Sequence, residues 1–202
     1  MTDYDMLHFE KQAYKKGYQY IAGVDEAGRG PLAGPVVAAS VILKKDAKFK
    51  YVNDSKKLSE KQRQHALKEI KEQAISISIG ISSVEEIDRI NIYRATKQAM
   101  ISAIEHHKIK PDYILIDAVP LDIFTPNEPI IKGDQKSMSI AAASIIAKTT
   151  RDAYMIEMDK LFPLYGFKDH KGYGTEKHIK AIHMYGITPI HRKTFKPIKD
   201  ML

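Results

Sequence analysis

Two runs of β-branched and apolar residues, Tyr20 to Val24 and Val36 to Leu43, flank a segment with glycine at 28, 30 and 34 and proline at 31 and 35. Apolar runs of this length form strands, and glycine with proline between them reads as a tight connection. The chain therefore opens its sheet as strand, bend, strand. Met6 to Lys16, upstream, reads as a short polar helix. Downstream, Ser59 with Gln62 three residues later makes a capping box for a helix running to about Gln73. Ala74 to Ile81 alternates through Ile75, Ile77, Ile79 and Ile81, the pattern of a half-buried strand. Val84 to Ile90 and Tyr93 to His107 carry helical periodicity, Tyr113 to Ile116 is a short buried strand ending at Asp117, and Ile130 to Lys132 is another ending near Asp134. A long Ala/Ile-rich helix follows from about Met138 to Leu161. Pro163 to Gly174 then collects glycine, aromatic and basic residues before a last helix near Glu176 to Met184. Strands first and helices later predict an α/β class, with a mixed central sheet flanked by helices and a helical C-terminal part.

With no internal repeat and no linker, 202 residues are read as one domain, 1–202. The polar helix occupies about 1–18, and a helical and loop part, expected to contact substrate, about 163–202. Lys and Arg outnumber Asp and Glu by 32 to 25, a net charge of +7 that favours polyanionic partners through counterion release. There is no cysteine, which excludes disulfide scaffolds, thiolate nucleophiles and sulfur-ligated zinc. Met1 to Lys16 is too polar for a signal peptide, and no window approaches a membrane span. A soluble cytoplasmic protein that makes no contact with membranes is expected.

The sharpest local feature is Asp25-Glu26, a carboxylate pair that leaves a strand and enters the glycine-rich bend. Taken alone the pair would be an exposed acidic turn. In a partly dehydrated cleft, however, adjacent acids repel unless a cation lies between them, and hard oxygen ligands suit Mg²⁺ or Mn²⁺. Gly28-Arg29-Gly30-Pro31-Leu32-Ala33 also satisfies the dinucleotide pattern G-x-G-x-x-A, but that fingerprint must open a helix, and here Pro35 and Val36 to Leu43 read as a strand. The glycines serve better for close backbone approach to a ligand, with Arg29 available for a phosphate. Asp117 and Asp134, each after a short apolar stretch, could join Asp25 and Glu26. Four carboxylates around one cleft can hold two divalent ions roughly 4 Å apart, the arrangement for phosphodiester hydrolysis.

Five ordered blocks then resemble a known family. Asp25-Glu26-Ala27-Gly28-Arg29-Gly30, Asn53-Asp54-Ser55-Lys56-Lys57-Leu58, Lys132-Gly133-Asp134 with Ser139 to Lys148, Arg151-Asp152, and Gly172-Tyr173-Gly174-Thr175 look like bacterial type 2 ribonuclease H, ribonuclease HII, from about Tyr20 to Lys199. The resemblance implies a ribonuclease H-like fold. It implies an endoribonuclease that hydrolyses the RNA strand of RNA/DNA hybrids and nicks DNA duplexes 5′ of embedded ribonucleotides, leaving 3′-hydroxyl and 5′-phosphate. The cofactor it implies is Mn²⁺ or Mg²⁺, two ions held by Asp25, Glu26, Asp117 and Asp134, with Asp152 near the same cleft. Gly28, Arg29 and Gly30 would contact the 2′-hydroxyl, the group that separates RNA from DNA. Tyr173 would stack on the following sugar, and Ser55, Lys56, Lys57 and Lys148 would meet the duplex backbone. The partners are the hybrid and ribonucleotide-containing DNA, and the enzyme is expected to be a monomer. The sequence does not decide whether a replication clamp or polymerase recruits it.

Three alternatives stay open at this level. A type 3 ribonuclease H shares fold and acids but lacks this tyrosine context; a basic, non-catalytic nucleic-acid-binding module would account for the charge; a dinucleotide-dependent enzyme comes last. Some Gram-positive type 2 enzymes carry an extension ahead of the nuclease domain, whereas the first motif here begins near residue 20, so accessory contacts from such a part are not expected. His170, His178, His183 and His191 invite a metal site, but 178 and 183 are five apart and miss the i, i+4 face, so surface or capping roles are expected. His106-His107 falls at a helix end, beside the negative pole of its dipole.

Overall fold

A computed structural model describes residues 5–52 and 58–202. Ser55, Lys56 and Lys57, expected at the duplex backbone, and Asp54 beside them lie outside the described residues. The elements run α1 (His8–Lys15), β1 (Ile21–Ala27), β2 (Val36–Leu43), α2 (Glu60–Gln73), β3 (Ala74–Ser82), α3 (Val84–Ile90), α4 (Ile92–Glu105), β4 (Tyr113–Asp117), β5 (Asn127–Ile130), α5 (Met138–Leu161), α6 (Phe167–His170) and α7 (Glu176–Tyr185). One sheet of order β3-β2-β1-β4-β5 carries the molecule. Its first three strands are antiparallel neighbours, while β4 runs parallel to β1 and to β5, so the sheet is mixed.

Helices cover both faces. Ala22, Val24, Val36, Ala38, Ile114 and Ile116 pack on α4; Ala39, Val41 and Leu43 point the other way, onto α5 and α2. The parity follows from strand geometry, since successive side chains alternate faces. The central helix α5 approaches β1 so closely that a β-carbon on Gly23 would fall on the backbone of Ser139. Ser137 caps α5, its hydroxyl accepting the Ile140 N–H. The buried Glu10 of α1 ties that end down, accepting from the Ser137 hydroxyl (2.6 Å) and from the N–H and hydroxyl of Ser139 (2.9 and 2.7 Å). A carboxylate at a helix N-terminus is also favoured by the dipole. Among the described residues no helix is long and apolar enough to cross a membrane.

Three expectations change. The strand placed at Ile130 to Lys132 lies earlier, at Asn127–Ile130, because Lys132 turns left-handed (φ 57°) into a 3₁₀ turn over Gly133–Gln135. Asp134 is therefore in that turn rather than near a strand end. In β3 the alternation is as read, but Ser78, Gly80 and Ser82 face inward while Ile75, Ile79 and Ile81 are exposed; a β-carbon on Gly80 would overlap the Ala99 carbonyl, so α4 fits only over the small residues. At the end of α4, His107 is buried and its Nδ1 pairs with the Ser76 hydroxyl at 2.7 Å. Burial, aided by Lys110, lowers its pKa to about 4, so it carries no charge to set against the helix dipole.

Candidate active site

Parallel pairing of β1 with β4 sets Val24 beside Ile116, and one step further along that register Asp25 meets Asp117. Glu26 follows before the strand breaks at Gly28, whose φ of 99° suits glycine. Asp25, Glu26 and Asp117 border one cavity of about 260 Å³ together with the Gly28-Arg29-Gly30 bend and Tyr173. From α5, Ser144, Lys148 and Arg151 reach the same cavity, at the spacing that shares one helix face. Tyr173 is 48% exposed, and its ring stands 3.7 Å from where a β-carbon on Gly30 would lie.

The acids are held against their electrostatic preference. Asp25 is 5% exposed. Burial first, then the charges of Glu26 and Asp117, push its carboxyl well above the usual range, with the Ser144 hydroxyl and the Glu26 N–H opposing. Burial likewise raises Glu26 against the pull of Arg29, 3.3 Å away, and Asp117 adds to the rise. Glu26 Oε1 meets Arg29, while its Oε2 is buried with no hydrogen-bond partner. An orphaned carboxylate oxygen beside two further acids is the donor set that a hard cation relieves. Among the described residues no three His, Asp or Glu side chains are positioned to enclose an ion by themselves. The fit is thus to Mg²⁺ or Mn²⁺ completed by water and phosphate oxygens, the usual habit of Mg²⁺ with one or two protein carboxylates.

Asp134 is buried and is not among the residues that line the cavity. It follows Gly133, whose N–H donates to Asp117 Oδ1 at 2.7 Å, so its turn steadies Asp117. Asp152 lies outside the cavity too, accepting from Lys148 Nζ at 2.7 Å on both oxygens and bordering a separate groove with Arg63, Thr149 and Lys171. Sequence reasoning missed Ser144 as a cleft residue and two arginines beneath the bend. Arg151 donates to the carbonyls of Pro35, Ala33 and Lys171 (3.1, 2.9 and 3.0 Å). Arg192 donates to those of Gly34, Arg29 and Gly28 (2.9, 2.9 and 2.5 Å). Burial lowers both guanidinium pKa values, Arg192 to about 9. Arg151 was legible as part of a quoted motif, whereas no sequence signal marks Arg192.

The histidines also depart from expectation. His183 is exposed, but His178 and His191 are wholly buried, in contact with Phe167. Burial is the leading reason that both have a pKa of about 4. The folded state keeps them neutral below pH 6.5 while the unfolded chain binds protons, so stability is lost as pH falls from about 6.5 toward 4. The raised acids Asp25 and Glu26 act in the opposite sense, protonating first in the folded state. In an Asp25→Asn/Glu26→Gln variant, which removes that opposition, the thermal midpoint should drop across this window; a flat midpoint would contradict the burial argument.

A family model described as Ribonuclease HII matches residues 22–198. The chain is 59% identical over 198 residues to the Ribonuclease HII of Enterococcus faecalis, covering 98% of this chain and 78% of that one. It is similar in structure to the ribonuclease H2 of Pyrococcus horikoshii, with TM-score 0.77 and 25% identity, over 91% of this chain and 97% of the other. The ribonuclease of the PCNA:RNase HII complex from Archaeoglobus fulgidus gives TM-score 0.73 and 27% identity, over 88% and 96%.

Proposed function

Since the chain belongs to the ribonuclease HII family, and is thereby an endoribonuclease, we propose that it hydrolyses the RNA strand of RNA/DNA hybrids and nicks duplexes 5′ of embedded ribonucleotides. The observation that carries this reading is the orphaned Oε2 of Glu26, buried beside Asp25 and Asp117 in a cavity that also holds the glycine bend and Tyr173. Asp25, Glu26 and Asp117 would hold the two divalent ions, with water and phosphate oxygens completing their shells and Asp134 supporting from the turn behind Asp117. When bound, such ions would supply Lewis acidity at the scissile phosphate.

The chain's own groups do the rest. In hydrolysis a water oxygen bonds to phosphorus and the P–O3′ bond breaks, so the preceding nucleotide leaves as a 3′-hydroxyl and the ribonucleotide keeps a 5′-phosphate. Arg192 draws the carbonyls of Gly28 and Arg29 inward, and a trans peptide then turns the N–H groups of Arg29 and Gly30 the opposite way, toward the 2′-hydroxyl. Tyr173 stacks on the sugar that follows. Lys148, with Ser55, Lys56 and Lys57, meets backbone phosphates without reading sequence. The enzyme is read as a monomer.

Incubation with a single-ribonucleotide duplex, an RNA/DNA hybrid and an all-DNA duplex, each with Mg²⁺, Mn²⁺ or chelator, tests the proposal. The first two should be cut with either ion, the third left intact, and chelator should stop all cleavage. Cutting of the hybrid alone would instead indicate type 3 behaviour. Binding that weakens with salt, without nicking, would indicate a non-catalytic module.

A further inference from the structure

Behind the tyrosine loop lies a file of imidazoles whose protons are placed by their neighbours. The rings of His170 and His178 stack with centroids 4.4 Å apart and planes 16° apart. His178 Nε2 lies 3.0 Å from His191 Nε2. At one end the Thr188 N–H donates to His191 Nδ1 at 2.8 Å, so that nitrogen accepts and the proton of the neutral ring sits on Nε2. At the other end His178 Nδ1 faces the Tyr173 carbonyl oxygen at 2.9 Å, which can only accept, so His178 is protonated on Nδ1 and its Nε2 receives the His191 proton. His170 is fixed in the same way, accepting from the Gly172 N–H at Nδ1 (3.1 Å) and donating from Nε2 to the Tyr165 carbonyl (2.9 Å). The Thr188 hydroxyl also lies 2.8 Å from His191 Nδ1 and can donate or accept, so the backbone N–H, which can only donate, decides that ring's tautomer.

The file ends on the loop that carries Tyr173. That loop is bonded at each step: Tyr173 N–H to the His170 carbonyl (2.9 Å), Thr175 N–H to the Tyr173 carbonyl (2.8 Å), and Leu32 N–H of the bend to the Gly172 carbonyl (2.8 Å). His191 itself pairs with Ala33 across a β-bridge and precedes Arg192, which clamps the bend. One short segment therefore holds Gly28-Arg29-Gly30 directly and Tyr173 through His178.

We propose that His191 and His178, with His170 on the adjoining peptide, form a proton-ordered relay that positions the Tyr173 ring against Gly30 and so sets discrimination for a single ribonucleotide. These are positioning residues, since none of them lines the cavity. The proposal rests on reading Tyr173 as the contact that follows the ribonucleotide.

Two measurements test it. Ring ¹⁵N spectra of the wild-type protein at neutral pH should show His178 as the Nδ1–H tautomer and His191 as Nε2–H; any other assignment overturns the relay, with no variant needed. In kinetics, His178→Leu should lower kcat/KM for a single-ribonucleotide duplex by between about tenfold and a hundredfold relative to an all-RNA hybrid. His178→Asn, which keeps an amide donor for the Tyr173 carbonyl, should recover most of that loss. In a Tyr173→Ala background His178→Leu should cost little more, because the two act as one unit. Equal losses in both backgrounds, with no recovery by Asn, would make the histidine merely structural. Should Tyr173→Ala itself leave the substrate preference intact, the reading of the tyrosine fails and the relay's role with it; unchanged ring tautomers would identify that case.

Discussion

Replacing Asp25 with Asn should lower cleavage by at least about a thousandfold while raising the thermal midpoint of the metal-free protein. The two signs come from one cause. Asp25 is buried with Glu26 and Asp117 acting on it, and its carboxyl pKa is raised well above the ordinary value. At neutral pH its ionised form therefore opposes folding; the strain disappears only as pH falls through the raised folded value toward the unfolded one. Asn keeps the shape and removes the charge, so folding improves as chemistry is lost. Added Mn²⁺ should stabilise the wild type and leave the variant almost unmoved. A variant that melts lower than wild type in chelator, or that cuts hybrid near the wild-type rate, would refute the assignment.

The largest structural effect is expected from one methyl group. Ala in place of Gly inside a strand normally stabilises by about 0.5–1 kcal/mol. At Gly23 the added carbon would land on the Ser139 backbone, and neither β1 nor α5 can yield without opening the interior. Gly23→Ala should therefore cost more than about 4 kcal/mol, a midpoint drop of roughly 10 °C or more, or prevent folding outright. Gly30→Ala is the contrast. Its β-carbon has only Tyr173 within reach, at 3.7 Å, so the melting curve should stay within about 0.5 kcal/mol of wild type. Calorimetry or circular dichroism of the pair decides the matter, and similar melting of both would show that close approach is not what glycine supplies at position 23.

Much of this architecture was legible in the residues because the patterns were strong. Val36–Leu43 and Met138–Leu161 occupy the positions their composition predicts, and the Ser59 capping box forms with both of its bonds. What failed, failed for stated reasons. Asn127–Ile130 is a short edge strand containing Pro129, so its chemistry hardly differs from a turn. The isoleucines of β3 revealed alternation but not side, because α4 demands small residues beneath it and periodicity carries no account of a neighbour's distance. In the site, Asp25-Glu26 and the glycine bend were visible as a motif, and Tyr173 only through a family pattern. Arg192 and the buried histidines were illegible. The carbonyls that Arg192 meets lie far away in sequence, and the histidines are buried by the packing of separate segments around them, so nothing local distinguishes such a side chain from one in solvent.

The hold of Arg192 and His191 on a bend more than one hundred and fifty residues earlier bears on how the enzyme comes into being. A ribosome needs roughly ten to thirty seconds to travel from Asp25 to Arg192, and during that interval the nascent polypeptide carries its acids without the clasp that shapes their surroundings. Cutting power should accordingly arrive all at once, when Arg192 has emerged and closed on the bend, rather than grow with the length of the emerging chain.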